Sequence, residues 1–113
     1  MSTTAIRVLE YLDRTGRSSW RRWFNDLDAH AAAKVGTALY RLAQGNFSTV
    51  EGVGSGVFEV RIDFGPGYRI YFGKDGETVV ILLGGSTKKR QSAAIYAAHK
   101  AWTDYKQRKK GAA

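Results

Sequence analysis

In one run of the sequence, apolar residues recur at every second position, and this alternation narrows the possible folds. In VFEVRIDF, residues 57–64, the even-numbered positions are apolar, and the same holds in YRIYF, residues 68–72. Side chains of a β-strand alternate between the two faces of a sheet, so a period of two predicts strands. Gly65-Pro66-Gly67 between them is a turn signal. The sequence therefore predicts a hairpin whose even-numbered side chains share one face.

The opposite face of this predicted hairpin is charged. Arg61 and Arg69 lie in the middle of the two strands, with the carboxylates of Glu59 and Asp63 on the same face. One interpretation is ion pairing across a solvated sheet face, worth about 0.2–1 kcal/mol per pair. The other is a phosphate site, because planar guanidinium groups on a rigid strand bind two phosphate oxygens at once. Both stay open, since a carboxylate can also hold an arginine in one rotamer.

A strand and two helices are predicted ahead of the hairpin. AIRVLEYL, residues 5–12, is apolar-rich and predicts the first strand. Ser18 or Ser19 can cap one helix, and Asp28 can cap a second over residues 29–43, because their side-chain oxygens accept from free N–H groups. Three aromatic residues recur at helical spacing in the first helix and are expected in the core: Trp20, Trp23 and Phe24.

The segments around the hairpin complete the predicted fold. GVGSG, residues 52–56, is expected to be a flexible lead-in, whereas TVVILLGG, residues 78–85, is apolar on both faces, as in a central strand. A final helix follows. The predicted fold is α+β, in the order strand-helix-helix-strand-strand-strand-helix, with a mainly antiparallel sheet packed against helices. The length predicts a single domain, residues 1–113, in which residues 106–113 form a basic tail that can be flexible.

The net charge of +8 is concentrated near the end of the sequence. Residues 85–113 carry eight basic side chains and one acidic side chain, whereas residues 1–84 are nearly balanced. A patch of one sign attracts a polyanion such as nucleic acid, an anionic membrane surface or an acidic protein. Lys88, Lys89 and Arg90 precede the last helix, where free N–H groups favour an anion. An exposed basic loop is the alternative.

An aromatic residue accompanies the cations of the last helix. Tyr96 lies six residues beyond Arg90, on the same side of the helix as His99 and Lys100. A ring beside cations suits single-stranded RNA, whose bases stack on aromatic side chains. The alternatives are that Tyr96 packs on a neighbouring loop and that His99 is an ordinary surface residue.

The composition argues against several classes of protein. The absence of cysteine excludes a disulfide scaffold, a thiolate zinc site and a Cys nucleophile, and two histidines make a poor metal site. We therefore expect no metal and no cofactor. The longest apolar run, residues 79–83, is far too short to span a bilayer, and the N-terminal residues lack the apolar core of a signal peptide. These features predict a cytoplasmic protein with no membrane partner.

The pattern as a whole resembles a known superfamily. VFEVRIDFGPGYRIYF, then an apolar strand ending in Gly-Gly and a basic helix, is similar to the RelE/ParE toxins of bacterial type II toxin–antitoxin modules, and more narrowly to the HigB-like addiction module killer branch. The resemblance covers nearly the whole chain. It implies a RelE-like fold and a toxin that is either a ribosome-dependent mRNA endoribonuclease or an inhibitor of DNA gyrase. It also implies three partners: mRNA, the ribosome and a cognate antitoxin of the helix-turn-helix DNA-binding type.

The resemblance also implies residue roles. The catalytic set would be Arg61, Arg69, Arg90 and Tyr96, and the RNA-binding set would be Lys88, Lys89, His99 and Lys100. In a metal-independent attack by the 2′-oxygen, arginines would bind the scissile phosphate and neutralise charge, while the tyrosine would orient or deprotonate the nucleophile. Glu59 departs from the RelE pattern, which has a lysine there. This departure favours the alternatives, a gyrase inhibitor without catalysis or a basic adaptor for an acidic partner.

Overall fold

The computed structural model describes residues 5–111, which form one five-stranded sheet with helices on both faces. The strands are β1 (Arg7–Glu10), β2 (Val50–Gly52), β3 (Val57–Ile62), β4 (Tyr68–Lys74) and β5 (Val79–Thr87). The helices are α1 (Ser19–Asn25), α2 (Ala29–Ala43) and α3 (Gln91–Gly111), with a 3₁₀ turn, Lys88–Arg90, between β5 and α3.

The sheet order is β1-β5-β4-β3-β2. The predicted hairpin is confirmed, because β3 and β4 pair antiparallel with Val60 opposite Ile70. β5 is central, as its apolar sequence predicts, and pairs antiparallel with β4 and parallel with β1. The protein is therefore α+β with a mixed sheet, in which three of the four strand pairs are antiparallel. This architecture is compatible with the RelE-like fold that the sequence predicts.

The segment before the hairpin differs from the prediction. We expected a flexible lead-in at residues 52–56, but Val50–Gly52 pair with β3 as a fifth strand, and the next residues turn the chain back. Gly54, Ser55 and Gly56 all have positive φ angles in this turn. Glycine adopts such angles without steric cost, so the glycine-rich sequence permits a tight turn.

α1 and α2 cover one face of the sheet. The side-chain oxygens of Ser18 and Asp28 accept hydrogen bonds from backbone N–H groups in the first turns of the two helices, as predicted. The expected aromatic core is confirmed, since Trp20 is buried, with Trp23 and Phe24 packed against the same cluster. The remaining buried members of this core are Val35, Leu42, Val60, Ile70, Phe72, Val80 and Leu82.

α3 packs on the other face, the face that carries the charged residues of β3 and β4. Trp102 of α3 lies against Gly73 so closely that a Cβ atom on this glycine would come within 2.5 Å of the indole ring. The second core comprises Tyr11, Val57, Tyr71, Ile81, Leu83, Ala98 and Trp102. The expectation of a solvated charged face is therefore wrong over part of the sheet, because α3 covers it.

α3 continues through the basic end of the sequence, so residues 106–111 are helical. Among residues 5–111, none of the helices combines the length and the apolar character that crossing a lipid bilayer requires.

Candidate functional site

Three polar positions lie side by side across the sheet. Arg61 of β3 is directly opposite Arg69 of β4, which in turn is opposite Ser86 of β5. Adjacent strands are about 4.8 Å apart, so this row spans about 10 Å. The turn Lys88–Arg90 follows Ser86 by two residues, and its first backbone N–H donates to the carbonyl of Gly67, 3.0 Å away, in the β3–β4 turn. The fold thus brings a set of cations to one end of the sheet.

We call this region the arginine end, and define it by Arg61, Arg69, Lys88, Lys89 and Arg90. Its members differ sharply in exposure. Arg69 is only 6% exposed, whereas Arg61 and all three residues of the 3₁₀ turn are exposed. The surface of the arginine end is therefore formed by two arginines and two lysines, with the third arginine beneath it.

The buried member, Arg69, is paired with a buried carboxylate. Its Nη1 donates to the backbone carbonyl of Tyr68 at 3.1 Å, and its Nε lies 4.0 Å from Oε2 of Glu59, a residue only 4% exposed. Neither Arg69 Nε nor Glu59 Oε1 has a hydrogen-bond partner among residues 5–111. The two charges compensate each other, but the pair is incompletely hydrogen-bonded, which is unusual for buried polar atoms.

A tyrosine and a serine complete the buried polar group. Ser86 Oγ donates to the carbonyl of Thr87 at 2.9 Å, which leaves this oxygen to accept from the Tyr71 hydroxyl, 3.0 Å away. Burial raises the pKa of Tyr71, and this effect outweighs the opposing hydrogen bond with Ser86. Tyr71 is therefore a neutral hydrogen-bond donor at neutral pH, beside the Glu59–Arg69 pair. Strict alternation along residues 68–72 puts Tyr71 on the same face as Arg69, but it carries no signal for the serine that binds it.

Arg61 is held in a different way. Its Nη2 lies 3.1 Å from Oε1 of Glu51, and both side chains are about half exposed. Glu51 belongs to β2, the strand that the sequence did not predict, whereas the expected partners were Glu59 and Asp63. An exposed pair of this kind contributes at most about 1 kcal/mol, so an anion can compete for the guanidinium.

The remaining candidate residues lie on α3. Tyr96 is 65% exposed, and the ammonium group of Lys100 lies 5.1 Å from the centre of its ring. His99 instead uses Nε2 in a hydrogen bond of 2.9 Å with the carbonyl of Val53, and so holds the β2–β3 turn against α3. The structure therefore leaves the tyrosine and the lysine free at the surface, and gives the histidine a structural contact.

Within residues 5–111, no three side chains of the types His, Asp or Glu lie together in a way that could hold an ion.

Comparison with known proteins identifies the family. Residues 22–106 match the family described as phage-derived protein Gp49-like (DUF891), which covers most of the chain. The protein belongs to the Gp49-like family. This is a RelE/ParE-like addiction module killer family. An uncharacterized protein of Haemophilus influenzae is 40% identical to this Gp49-like protein over 74 residues, which cover 65% of the present chain and 75% of that relative.

Membership in the Gp49-like family confirms the resemblance at the level of RelE/ParE-like addiction module killers. It suggests that the protein is the toxin of a toxin–antitoxin module and that a cognate antitoxin is its partner. The matched segment contains all four candidate catalytic residues, Arg61, Arg69, Arg90 and Tyr96. Assignment to the HigB branch stays a prediction.

Proposed function

We propose that this Gp49-like protein is a toxin that cleaves messenger RNA on the ribosome. The proposal rests on the arginine end, where cations from β3, β4 and the 3₁₀ turn lie close together at one end of the sheet. Attack of a 2′-oxygen on the adjacent phosphate builds negative charge on the phosphate oxygens. A single well-placed donor for such charge is worth about 10²–10³ in rate. Arginine is suited to this task because its planar fork binds two phosphate oxygens.

The exposed residues take the contacts with RNA in this proposal. Arg61 exchanges Glu51 for the scissile phosphate, and Arg90 neutralises the charge that develops during attack. The exposed ring of Tyr96 stacks on a base, while its hydroxyl orients or deprotonates the attacking 2′-oxygen. The 2′-oxygen forms a bond to phosphorus as the bond from phosphorus to the 5′-oxygen breaks. The products are a 2′,3′-cyclic phosphate and a 5′-hydroxyl, which takes its proton from water, and the reaction uses no metal ion.

The other predicted residues support this set. Lys88, Lys89 and Lys100 bind the RNA backbone, and His99 fixes the β2–β3 turn. Arg69 does not touch substrate in this proposal, because its side chain is 7% exposed and Glu59 compensates its charge. The buried pair has a structural role beneath the exposed arginines.

The biological setting follows from the same proposal. The protein is a single toxin domain of the HigB-like branch that acts in the cytoplasm. Its cognate antitoxin is a helix-turn-helix DNA-binding protein, and the complex of the two represses their shared operon.

One observation favours a second candidate, inhibition of DNA gyrase without catalysis. Burial of Arg69 against Glu59 removes one of the three arginines from the surface of the proposed catalytic site. A surface that only binds gyrase tolerates the loss of one exposed arginine better than an active site does. Binding alone does not require a hydrogen-bond donor at a charge that develops during a reaction.

Induction in bacterial cells separates the two candidates. Wild type, Arg90→Ala and Tyr96→Phe are expressed from a regulated promoter, with Arg22→Ala, an exposed arginine on the opposite helical layer, as the control. Messenger 5′ ends are mapped, and the supercoiling of a plasmid is measured in the same cells. We expect new 5′ ends inside coding regions for wild type and Arg22→Ala but not for the two site variants. Loss of supercoiling with intact messages would support gyrase inhibition instead.

A further inference from the structure

A second basic region lies at the opposite end of the sheet. β4 begins beside the arginine end and finishes at Lys74, and α3 returns over the sheet so that the Tyr105 hydroxyl donates to Asp75 at 2.6 Å. A helix of 21 residues is about 30 Å long, which separates this region from the 3₁₀ turn. A groove of about 380 Å³ lies here, between the β4–β5 turn and the last turns of α3.

We call it the lysine groove. Its floor is formed by Trp102 and Tyr105 and its rim by Asp75 and three lysines of α3: Lys106, Lys109 and Lys110. Lys74 also borders the groove, but its ammonium group lies over Phe47 and Phe58 on the opposite face of the sheet. Three positive charges against one negative charge leave the rim basic.

The floor of the lysine groove is apolar but offers no free face of Trp102. This ring is stacked on Tyr105 with 5.2 Å between ring centres and 6° between planes, packs against Gly73, and is only 5% exposed. A nucleobase therefore cannot stack on it. Burial and the hydrogen bond to Asp75 raise the pKa of Tyr105 to about 12, so its hydroxyl remains protonated and bound to that carboxylate. The accessible part of the floor suits an apolar side chain.

One lysine of the rim already binds a carboxylate within the fold. Lys109 pairs with Asp75, which also accepts from Tyr105. The ammonium group of Lys106 lies over Trp102, 5.8 Å from the ring centre. Neither Lys106 nor Lys110 forms a salt bridge within residues 5–111, so two positive charges lie beside the floor without an acidic partner.

We infer that the lysine groove docks an acidic segment of a protein partner, with carboxylates on the rim lysines and one apolar side chain on the Trp102–Tyr105 floor. Charge complementarity selects the acidic segment, and the covered indole disfavours RNA. The identity of the partner rests on the proposed function, in which the antitoxin supplies the segment. The docking itself needs no RNA cleavage, and it leaves the arginine end open.

Fluorescence anisotropy tests the inference with a defined probe. The probe is a fluorescein-labelled peptide of aspartate and glutamate residues around one central leucine. It is titrated with wild type, with Lys106→Glu/Lys110→Glu, and with Lys88→Glu/Lys89→Glu, which makes the same charge change at the arginine end. We expect the groove pair to weaken binding about tenfold more than the control pair, because its charges contact the peptide directly. The four substituted lysines are all exposed, so circular dichroism should show native helix content in both variants.

Two further probes sharpen the result. Replacing the leucine of the peptide with serine should weaken binding to wild type, since the anchor loses its apolar contact. A single-stranded RNA oligonucleotide should lose more affinity with Lys88→Glu/Lys89→Glu than with the groove pair. Equal peptide losses in both variants, no effect of the leucine, or a larger RNA loss in the groove pair would each overturn the inference. If wild type cleaves RNA but does not bind the peptide, the docking inference fails and the proposed function is retained. If wild type binds the peptide but does not cleave RNA, the proposed function fails and the docking inference is retained.

Discussion

The arginine end and the lysine groove are both basic, yet they are built for different anions. The arginine end places guanidinium groups on adjacent strands, where carboxylates from within the fold, Glu51 and Glu59, hold them in position. The lysine groove places flexible ammonium groups around an aromatic floor, with one carboxylate, Asp75, already bound. The comparison shows that the sign of the charge on a patch does not define its partner. The partner is defined by the rigidity of the hydrogen-bond donors and by the polarity of the surface between them.

Removal of one arginine should have the largest effect and should separate the two regions by activity. Arg90→Ala should slow mRNA cleavage by about 10²–10³, because a donor to the developing charge is lost. Lys110→Ala, which removes a charge from the lysine groove, should change the rate by less than about threefold, as expected for a screened distant charge. Single-turnover cleavage on programmed ribosomes measures both. Equal losses of cleavage rate in the two variants would contradict the difference in function between the arginine end and the lysine groove.

Within the arginine end, burial should decide what each carboxylate contributes to stability. Glu59→Gln should lower the free energy of unfolding by about 3 kcal/mol, because it leaves the buried Arg69 charge uncompensated. Glu51→Gln removes the exposed partner of Arg61 and should cost less than about 1 kcal/mol. Urea denaturation gives both values.

A double variant tests the cause of that loss. Glu59→Leu/Arg69→Met replaces both buried charges with apolar side chains and should recover most of the stability lost in Glu59→Gln. A Glu59→Gln variant as stable as Glu51→Gln, or a double variant less stable than Glu59→Gln, would mean that charge compensation is not what holds this pair.

Close packing under the lysine groove predicts the next effect. Gly73→Ala should lower the free energy of unfolding by about 1–3 kcal/mol, since a methyl group there must displace the Trp102 ring. Gly36→Ala is the matched control, because a Cβ atom at this position of α2 meets no other atom within 4 Å. It should stabilise the helix by about 0.5–1 kcal/mol. A neutral Gly73→Ala would show that α3 docks less tightly at this end than we describe.

The smallest effect concerns acid stability at the rim of the lysine groove. Hydrogen bonds from Lys109 and Tyr105 hold the pKa of Asp75 below its usual 3.8. The folded state thus binds this proton less readily than the unfolded chain, and the stabilisation is present above pH 3.8 and lost as the pH falls through the lower, folded value. Asp75→Asn should show a shallower loss of stability below pH 4 than wild type. Urea denaturation between pH 2 and pH 6 measures both slopes, and equal slopes would show that these hydrogen bonds do not stabilise the ionised carboxylate.

The hairpin could be predicted from sequence because its alternation is strict over both strands. β2 could not be predicted from the sequence, because Val50–Gly52 is too short to show an alternation of period two and is followed by glycine-rich sequence. The parallel position of β1 beside β5 depends on a long connection that contains α1, α2 and the strands β2, β3 and β4, and local patterns do not encode such a pairing.

The candidate site was predictable only as a set of residues on one face. Alternation assigns Arg61 and Arg69 to the same side, but it does not say which of them another element will cover. Their different exposure arises from tertiary packing: Arg69 is on an inner strand beneath other parts of the chain, whereas Arg61 lies nearer the edge beside Glu51. The lysine groove was visible in sequence only as a basic tail, because its floor depends on Trp102 and Tyr105 meeting the β4–β5 turn.

The chemistry of the RNA ends distinguishes cleavage at the arginine end from binding without catalysis. Purified protein is mixed with ribosomes that carry one defined message, and the ends of the products are determined. We expect cleavage within the coding sequence that leaves a 2′,3′-cyclic phosphate, and formation of the same products about 10²–10³ more slowly with Arg90→Ala. An intact message, in a preparation that inhibits the supercoiling activity of purified DNA gyrase, would contradict it.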